Sequence, residues 1–170
     1  MPSNLELKAI CPSISTARLI AKNLGATFGG ILQQRDTYLN GASGRIKIRE
    51  FGNSVGELIY YRRPDLCGNR YSNYDVEPVA QVVKLKRMLI GAFGVKIVVL
   101  KKRELYLFEN ARIHLDKVQD LGNFIEFEVM NQRGEKQTEQ LMKFLRTQFG
   151  ISEKDIICSS YSDLLLAKKG

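Results

Sequence analysis

Along Arg45-Ile46-Lys47-Ile48-Arg49, charged and aliphatic residues alternate without a break. Successive side chains of a β-strand point to opposite faces, so Arg45, Lys47 and Arg49 share one face and Ile46 and Ile48 the other. The alternation recurs along the chain. Glu6 and Lys8 alternate with Leu5 and Leu7, Lys101 and Arg103 share a parity, so do Arg112, His114 and Asp116, and Glu126 and Glu128 flank Phe127. One such strand is an ordinary solvated face over a core. Charged faces of both signs on this many strands predict something else: a sheet curled so that its polar faces look inward at a highly charged ligand.

The remaining elements follow from the same period. Asn4 to Ile10 reads as a first strand ended by Cys11-Pro12, and Ser13 or Ser15 caps a helix to Leu24 whose apolar stripe is Ala17, Ile20, Ala21 and Leu24, with Gly25 beyond it. A second strand runs from Leu32 to Leu39, and Asn40-Gly41 turns into the cationic strand. Strands follow at Glu57 to Arg62, stopped by Pro64, and at Arg70 to Val76. Pro78 suits the first position of a helix carrying Val79, Val82, Val83, Leu89 and Ile90, with Gly91 after it. Three more strands span Lys96 to Leu107, Ala111 to Val118 and Phe124 to Met130. A helix covers Glu135 to Phe149, and a terminal helical turn covers Tyr161 to Ala167. About eight strands joined by turns too short for crossovers predict antiparallel pairing. Closing them into a barrel removes the edges, with the helices packed outside: an α+β fold in a single domain over 1–170.

Composition narrows the partners. Apolar runs such as Ile97-Val98-Val99-Leu100 are far too short to span a membrane. Met1-Pro2-Ser3-Asn4 carries no export pattern, so the expected location is cytoplasmic. Cys11, Cys67 and Cys158 are odd in number and far apart, matching neither a disulfide framework nor a metal-ligand spacing. The net charge of +8 implies affinity for polyanions. The basic residues are spread along strands rather than gathered in a tail, which favours a surface built by the fold over a nucleic-acid-binding arm.

A dry channel of unpaired charges would cost several kcal/mol for each. A wet channel of both signs is tolerable and is a ligand site. Arg and Lys suit phosphate oxygens. Carboxylates beside them would repel phosphate unless a divalent cation sat between, and carboxylates with waters and substrate oxygens are the usual Mg²⁺ environment. The combination points to a metal-bound polyphosphate.

In order and spacing these segments resemble the CYTH family, the triphosphate tunnel metalloenzymes. The parts that carry the resemblance are Asn4-Leu5-Glu6-Leu7-Lys8, Asp36-Thr37-Tyr38, Arg45 to Glu50, Tyr60-Tyr61-Arg62-Arg63-Pro64, Lys101-Lys102-Arg103, Arg112-Ile113-His114-Leu115-Asp116, Leu121 to Glu128 and Ser160 to Leu165. The resemblance implies an eight-stranded antiparallel tunnel for a triphosphate, with Mg²⁺ or Mn²⁺. Carried over by position, Glu6, Glu126 and Glu128 are the metal carboxylates, with Asp116 a further candidate that could equally hold Arg112. Lys8, Arg45, Lys47, Arg49, Arg62, Lys101, Arg103 and Arg112 form the phosphate cradle, and Glu6, Lys8, Glu126 and Glu128 the catalytic set. Asn4 stands where the family signature has its first Glu, so a second metal is held more weakly. The opposite parity of Arg63, Lys102 and Lys117 places them in solvent.

The implied substrate is a small triphosphate: tripolyphosphate, ATP or thiamine triphosphate. Hydrolysis is the leading reaction, and cyclisation of ATP to cyclic AMP and pyrophosphate, as in class IV adenylyl cyclases, is the alternative. A further alternative is a non-catalytic triphosphate or RNA binding module using Tyr60, Tyr61, Tyr71 and Tyr74 as stacking platforms. The carboxylates beside the cations disfavour nucleic acid, and the family resemblance is compatible with a homodimer. His114 reads as a hydrogen-bonded filler of the tunnel wall ahead of a catalytic acid or base. Tyr60 shares the face of Arg62, and Cys67 reads as an inert loop residue.

Overall fold

The computed structural model describes residues 3–41, 43–62, 64 and 66–170. Along the chain come β1 (Ser3–Ile10), α1 (Ile14–Asn23), β2 (Thr27–Leu39), β3 (Arg45–Glu50), β4 (Gly56–Arg62), β5 (Arg70–Val79), α2 (Val82–Phe93), β6 (Val95–Phe108), β7 (Ala111–Val118), β8 (Gly122–Met130), α3 (Glu135–Gln148) and α4 (Tyr161–Lys169). The strands close into a barrel in the order β1-β5-β4-β3-β2-β6-β7-β8, antiparallel at every pairing. This is the expected architecture, with helices arranged outside the ring of strands.

Register decides which half of each strand looks inward, because residues directly opposite each other across a pair share a face. Leu5, Leu7, Ile113, Leu115, Ile125 and Phe127 form the outer layer and are buried with Ala17 and Ala21 of α1 and Leu141, Met142 and Leu145 of α3. Each fully buried side chain of this kind is worth roughly 1.5–3 kcal/mol, so the aliphatic half of the alternation holds the barrel against its helices. The opposite half carries the charges. The Oγ of Ser13 accepts from the Thr16 amide at the start of α1, as its position predicts.

A second apolar cluster sits at one end of the bore. Tyr38, Ile59, Tyr61, Ile97, Val99, Val118 and Phe124 pack around Tyr161 and Leu165 of α4. As a nine-residue helix, α4 caps this end of the barrel through Tyr161 and Leu165.

Three boundaries differ from expectation for identifiable reasons. β2 begins at Thr27 rather than Leu32, because its first half pairs with β6 along Thr27 to Gln34, with a register shift between Phe28 and Gly30. Pro78 lies in the last two residues of β5 instead of opening a helix: it stands opposite Glu57 of β4, beyond the Arg70 to Asn73 stretch that pairs with β1, where β5 has a partner on one side only. Gly91 lies within α2, which runs on to Phe93 and ends at Gly94, whose φ of +76° suits a residue without a Cβ. Gly56 opens β4 because a Cβ there would meet the Arg49 carbonyl oxygen and Val82 at sub-contact distances. The cysteines also depart from expectation. Cys67 and Cys158 form a disulfide, while Cys11 is free and buried. They stand 91 residues apart, and only barrel closure brings the β4–β5 loop beside the approach to α4.

Candidate active site in the bore

The bore encloses a cavity of about 370 Å³ lined by residues from all eight strands and by Ser160 and Tyr161 at its capped end. Three carboxylates organise the charge inside. Asp36 of β2, 1% exposed, lies opposite Arg49 of β3. It accepts from Lys47 Nζ at 2.7 Å, from Arg49 Nε and Nη2 at 2.8 Å each and from Lys101 Nζ at 2.9 Å. Burial pushes the Asp36 carboxyl up, but the fields of Arg49, Lys101 and Lys47 outweigh it and hold the group well below the usual carboxylate range.

Asp116 of β7 holds Arg103 of β6 directly across the pair. It accepts from Arg103 Nε and Nη2 at 2.7 Å each and from the Tyr161 hydroxyl at 2.7 Å. Asp116 stands apart from the other expected metal carboxylates: both its oxygens are engaged, the residue is 0% exposed, and it does not line the cavity. Nor does it hold Arg112, which pairs with Glu128 at 3.6 Å. Glu126 of β8 takes Arg103 Nη2 at 3.3 Å, His114 Nδ1 at 3.1 Å and Lys8 Nζ at 3.7 Å. Burial raises its carboxyl, and the His114 hydrogen bond with Lys8 and Arg103 reverses that and holds it well below the usual range.

Of the expected site residues, Glu6, Lys8, Lys47, Arg49, Lys101, Arg103, Arg112, Glu126 and Glu128 all line the one cavity. Arg45 shares the inward parity but sits at the capped end, where Nη2 donates to Asp163 of α4 at 2.8 Å. Arg62 is a correction. On β4, register puts Glu57, Ile59 and Tyr61 opposite Arg49, Lys47 and Arg45, so these three face the bore and Tyr60 and Arg62 face out. Arg62 is exposed, its Nε donating to the Tyr60 hydroxyl at 2.6 Å. Lys102 and Lys117 are exposed, and Arg63 lies outside the described residues.

Sequence reasoning missed Asp36 as the hub of the cations and Arg70 as an inward-facing residue. Arg70 lies opposite Glu6, is 5% exposed and donates to the Cys158 carbonyl. A signal existed for both. Gln34, Asp36 and Tyr38 share a parity, as do Arg70, Ser72 and Tyr74, but neither run alternates charge with aliphatic residues.

Donor atoms of His114, Glu126 and Glu128 lie within 4.8 Å of one another, and Glu6 stands opposite Glu128 in register. Two carboxylates and an imidazole suit a divalent cation of the Mg²⁺ or Mn²⁺ type. The buried Oδ1 of Asn4, without a hydrogen-bond partner among the described residues, belongs to a side chain lining the same cavity and adds a neutral oxygen donor. The residues present therefore fit a metal.

Lys101 is the titratable member of the cradle. Burial, then the nearby Arg49, Arg103 and Lys47 against Asp36, bring its pKa down to about 7. A lysine lowered in this way makes the folded protein bind fewer protons than the unfolded chain between about pH 7 and 10.5, so this group makes stability rise with pH across that window. A polyanion placed beside it favours the charged form. Tripolyphosphate binding at about pH 7.5 should thus take up more protons in wild type than in Lys101→Met, measured by calorimetry in buffers of unequal ionisation heat. Equal uptake in the two proteins would contradict the depressed lysine.

A barrel with cations and carboxylates converging in a capped bore defines the class. The CYTH domain family model matches residues 3–161, and the chain belongs to that family. Among solved structures, a protein from Pyrococcus horikoshii is 21% identical with a TM-score of 0.85, over 95% of this chain and 98% of that one. A candidate adenylate cyclase from Vibrio parahaemolyticus is 18% identical with a TM-score of 0.80, over 96% and 97%. A candidate adenylyl cyclase from Hippeastrum, whose dominant activity is that of a triphosphatase, is 17% identical with a TM-score of 0.67, over 98% and 96%. At these identities the likeness is one of fold. No curated protein matches the chain, and no helix among the described residues is long and apolar enough to cross a membrane.

Proposed function

We propose that this single-domain protein is a divalent-metal-dependent phosphohydrolase acting on triphosphates held in the bore. The observation that carries this reading is the convergence of Lys8, Lys47, Arg49, Lys101, Arg103 and Arg112 with Glu6, Glu126 and Glu128 on one cavity. Cations alone would suit any polyanion. Carboxylates interleaved with them suit a polyanion only when a metal lies between.

In the proposed reaction, Glu126 and Glu128, with His114, Glu6 and the Asn4 carbonyl oxygen as further donors, would hold the metal. When bound, the metal supplies charge neutralisation at the phosphoryl oxygens and a more acidic water. The chain's own part is positioning. Asp36 fixes Lys47, Arg49 and Lys101 as one bank of donors, and Asp116 fixes Arg103 as a planar fork. Preset donors stabilise charge that builds on the transferring group without reorganising at the moment of reaction.

A second reading has its own observation. One wall of the bore is not ionic: Ile59 and Tyr61 of β4 with Tyr74 and Val76 of β5 line it. That surface suits an organic group attached to the triphosphate, and a nucleoside seated there could attack its own α-phosphorus, which is the cyclase reaction. The RNA-module alternative loses its platform, because Tyr60 faces outward, Tyr61 and Tyr74 face the bore, and Tyr71 packs against the outer core.

Incubation with Mg²⁺ or Mn²⁺ and either tripolyphosphate or ATP, with the products resolved, separates the readings. Orthophosphate is the expected product. Cyclic AMP with pyrophosphate would reverse the order of the two, and metal-independent binding of single-stranded RNA without turnover would remove both.

A further inference from the structure

We propose that the Cys67–Cys158 disulfide is a thiol-exchange site that sets how firmly α4 closes the bore. Both cysteines are exposed, so a dithiol in solution can reach the bond. Exposed disulfides are the ones that exchange, whereas buried structural ones resist reduction.

The bond also stands at a place where its loss would be felt. Cys158 lies two residues before Ser160, whose Oγ caps the start of α4 by accepting from the Asp163 amide. The backbone here is wired to two bore residues: the Cys158 carbonyl accepts from Arg70, and the Ile157 amide donates to the Lys8 carbonyl. Cys67 lies in the loop joining β4 to β5, between the bore-facing Tyr61 and Arg70. The disulfide thus ties the approach to the cap to the β4–β5 loop.

The remaining ties of α4 are noncovalent. Tyr161 donates to Asp116 and its ring lies 3.9 Å below Lys8 Nζ, Arg45 donates to Asp163, Lys168 donates to the Asp120 carbonyl, and Leu165 is buried. A short helix held by so few contacts opens locally when one tie is lost. Opening would remove the Tyr161 hydroxyl from Asp116, and with it one of the groups that set Arg103.

The chemistry balances with a dithiol as co-reactant. One reagent thiolate attacks a cystine sulfur and gives a mixed disulfide plus one protein thiol. The second reagent thiol then displaces the other protein thiol, leaving two cysteine thiols and an oxidised, cyclic reagent, for a transfer of two electrons and two protons. Cys11, buried and with its thiol pushed up by that burial, takes no part.

Thiol titration of denatured protein should count one thiol before reduction, Cys11, and three after it. Adding a dithiol to the native protein should speed hydrogen exchange over 157–169 by roughly tenfold. Cys67→Ser should show the fast exchange with or without the dithiol. Resting on the bore being a triphosphate site, a further arm expects tripolyphosphate to bind several-fold more weakly in the reduced state. Three thiols before reduction would overturn the proposal, as would identical exchange in oxidised wild type, reduced wild type and Cys67→Ser. Faster exchange with no tripolyphosphate binding in either state supports the latch and overturns the triphosphate reading instead.

Discussion

Asp36→Asn should destabilise the protein by about 3–5 kcal/mol, because breaking a buried ion pair leaves its partners charged and uncompensated. In this chain three partners are left at once: Lys47, Arg49 and Lys101 all converge on Asp36. An amide of the same shape removes the charge without opening a cavity, so the loss reports electrostatics and not packing. In a domain of this size the melting midpoint should fall by roughly 10 °C. Tripolyphosphate should restore part of it, since an anion that binds only the folded state stabilises by mass action and here would replace the missing charge. The sign with pH follows from the depressed carboxyl. Its stabilisation is present above about pH 4, the range of an unfolded aspartate, and is lost as pH falls through the lower folded-state value. A variant that melts with the wild type would show that Asp36 is not the hub of the cradle.

Glu126→Gln should lower metal-dependent tripolyphosphate hydrolysis by about a hundred- to a thousandfold, the range for removing one preset electrostatic group from an active site. Glu126 is the carboxylate where the two halves of the site meet: it touches His114, Lys8 and Arg103. Glutamine keeps the volume and one acceptor oxygen, so the circular dichroism spectrum should be unchanged while turnover falls. Arg62→Ala is the matched control, since that side chain lies on the outer face against Tyr60, and its turnover should equal that of wild type. Unchanged turnover in Glu126→Gln would remove the metal assignment. A large loss in Arg62→Ala would mean that the outer face takes part.

Where the alternation is charged against aliphatic, the bore was legible in the sequence. Arg45 to Arg49, Lys101 with Arg103, and Arg112 with Asp116 each name their own inner face, because Ile46 and Ile48, Ile113 and Leu115 can go only to the core. β4 reads the other way. Leu58, Ile59, Tyr60 and Tyr61 offer an apolar or amphipathic residue to both faces, so its parity cannot be read alone and an inward Arg62 rests on the resemblance only. The strand's partner made the choice: once Arg49 faces the bore, Glu57 opposite must follow, and Arg62 must not. The cap was hidden for a related reason. Tyr161 and Leu165 look like any helix stripe until Val99, Val118 and Phe124 are seen to leave an apolar end to the barrel.

The amino-acid order by itself determined that there would be strands of this polarity, about how many, and that their ionic halves needed a common enclosure. Period and charge are local properties and survive without any contact being known. Tertiary structure alone decided which carboxylate holds which cation, why Asp116 is spent on Arg103 and Tyr161, and that Cys67 meets Cys158. Those pairings depend on register and on closure across a ring of eight strands, and no stretch of chain contains that information before the ring has shut.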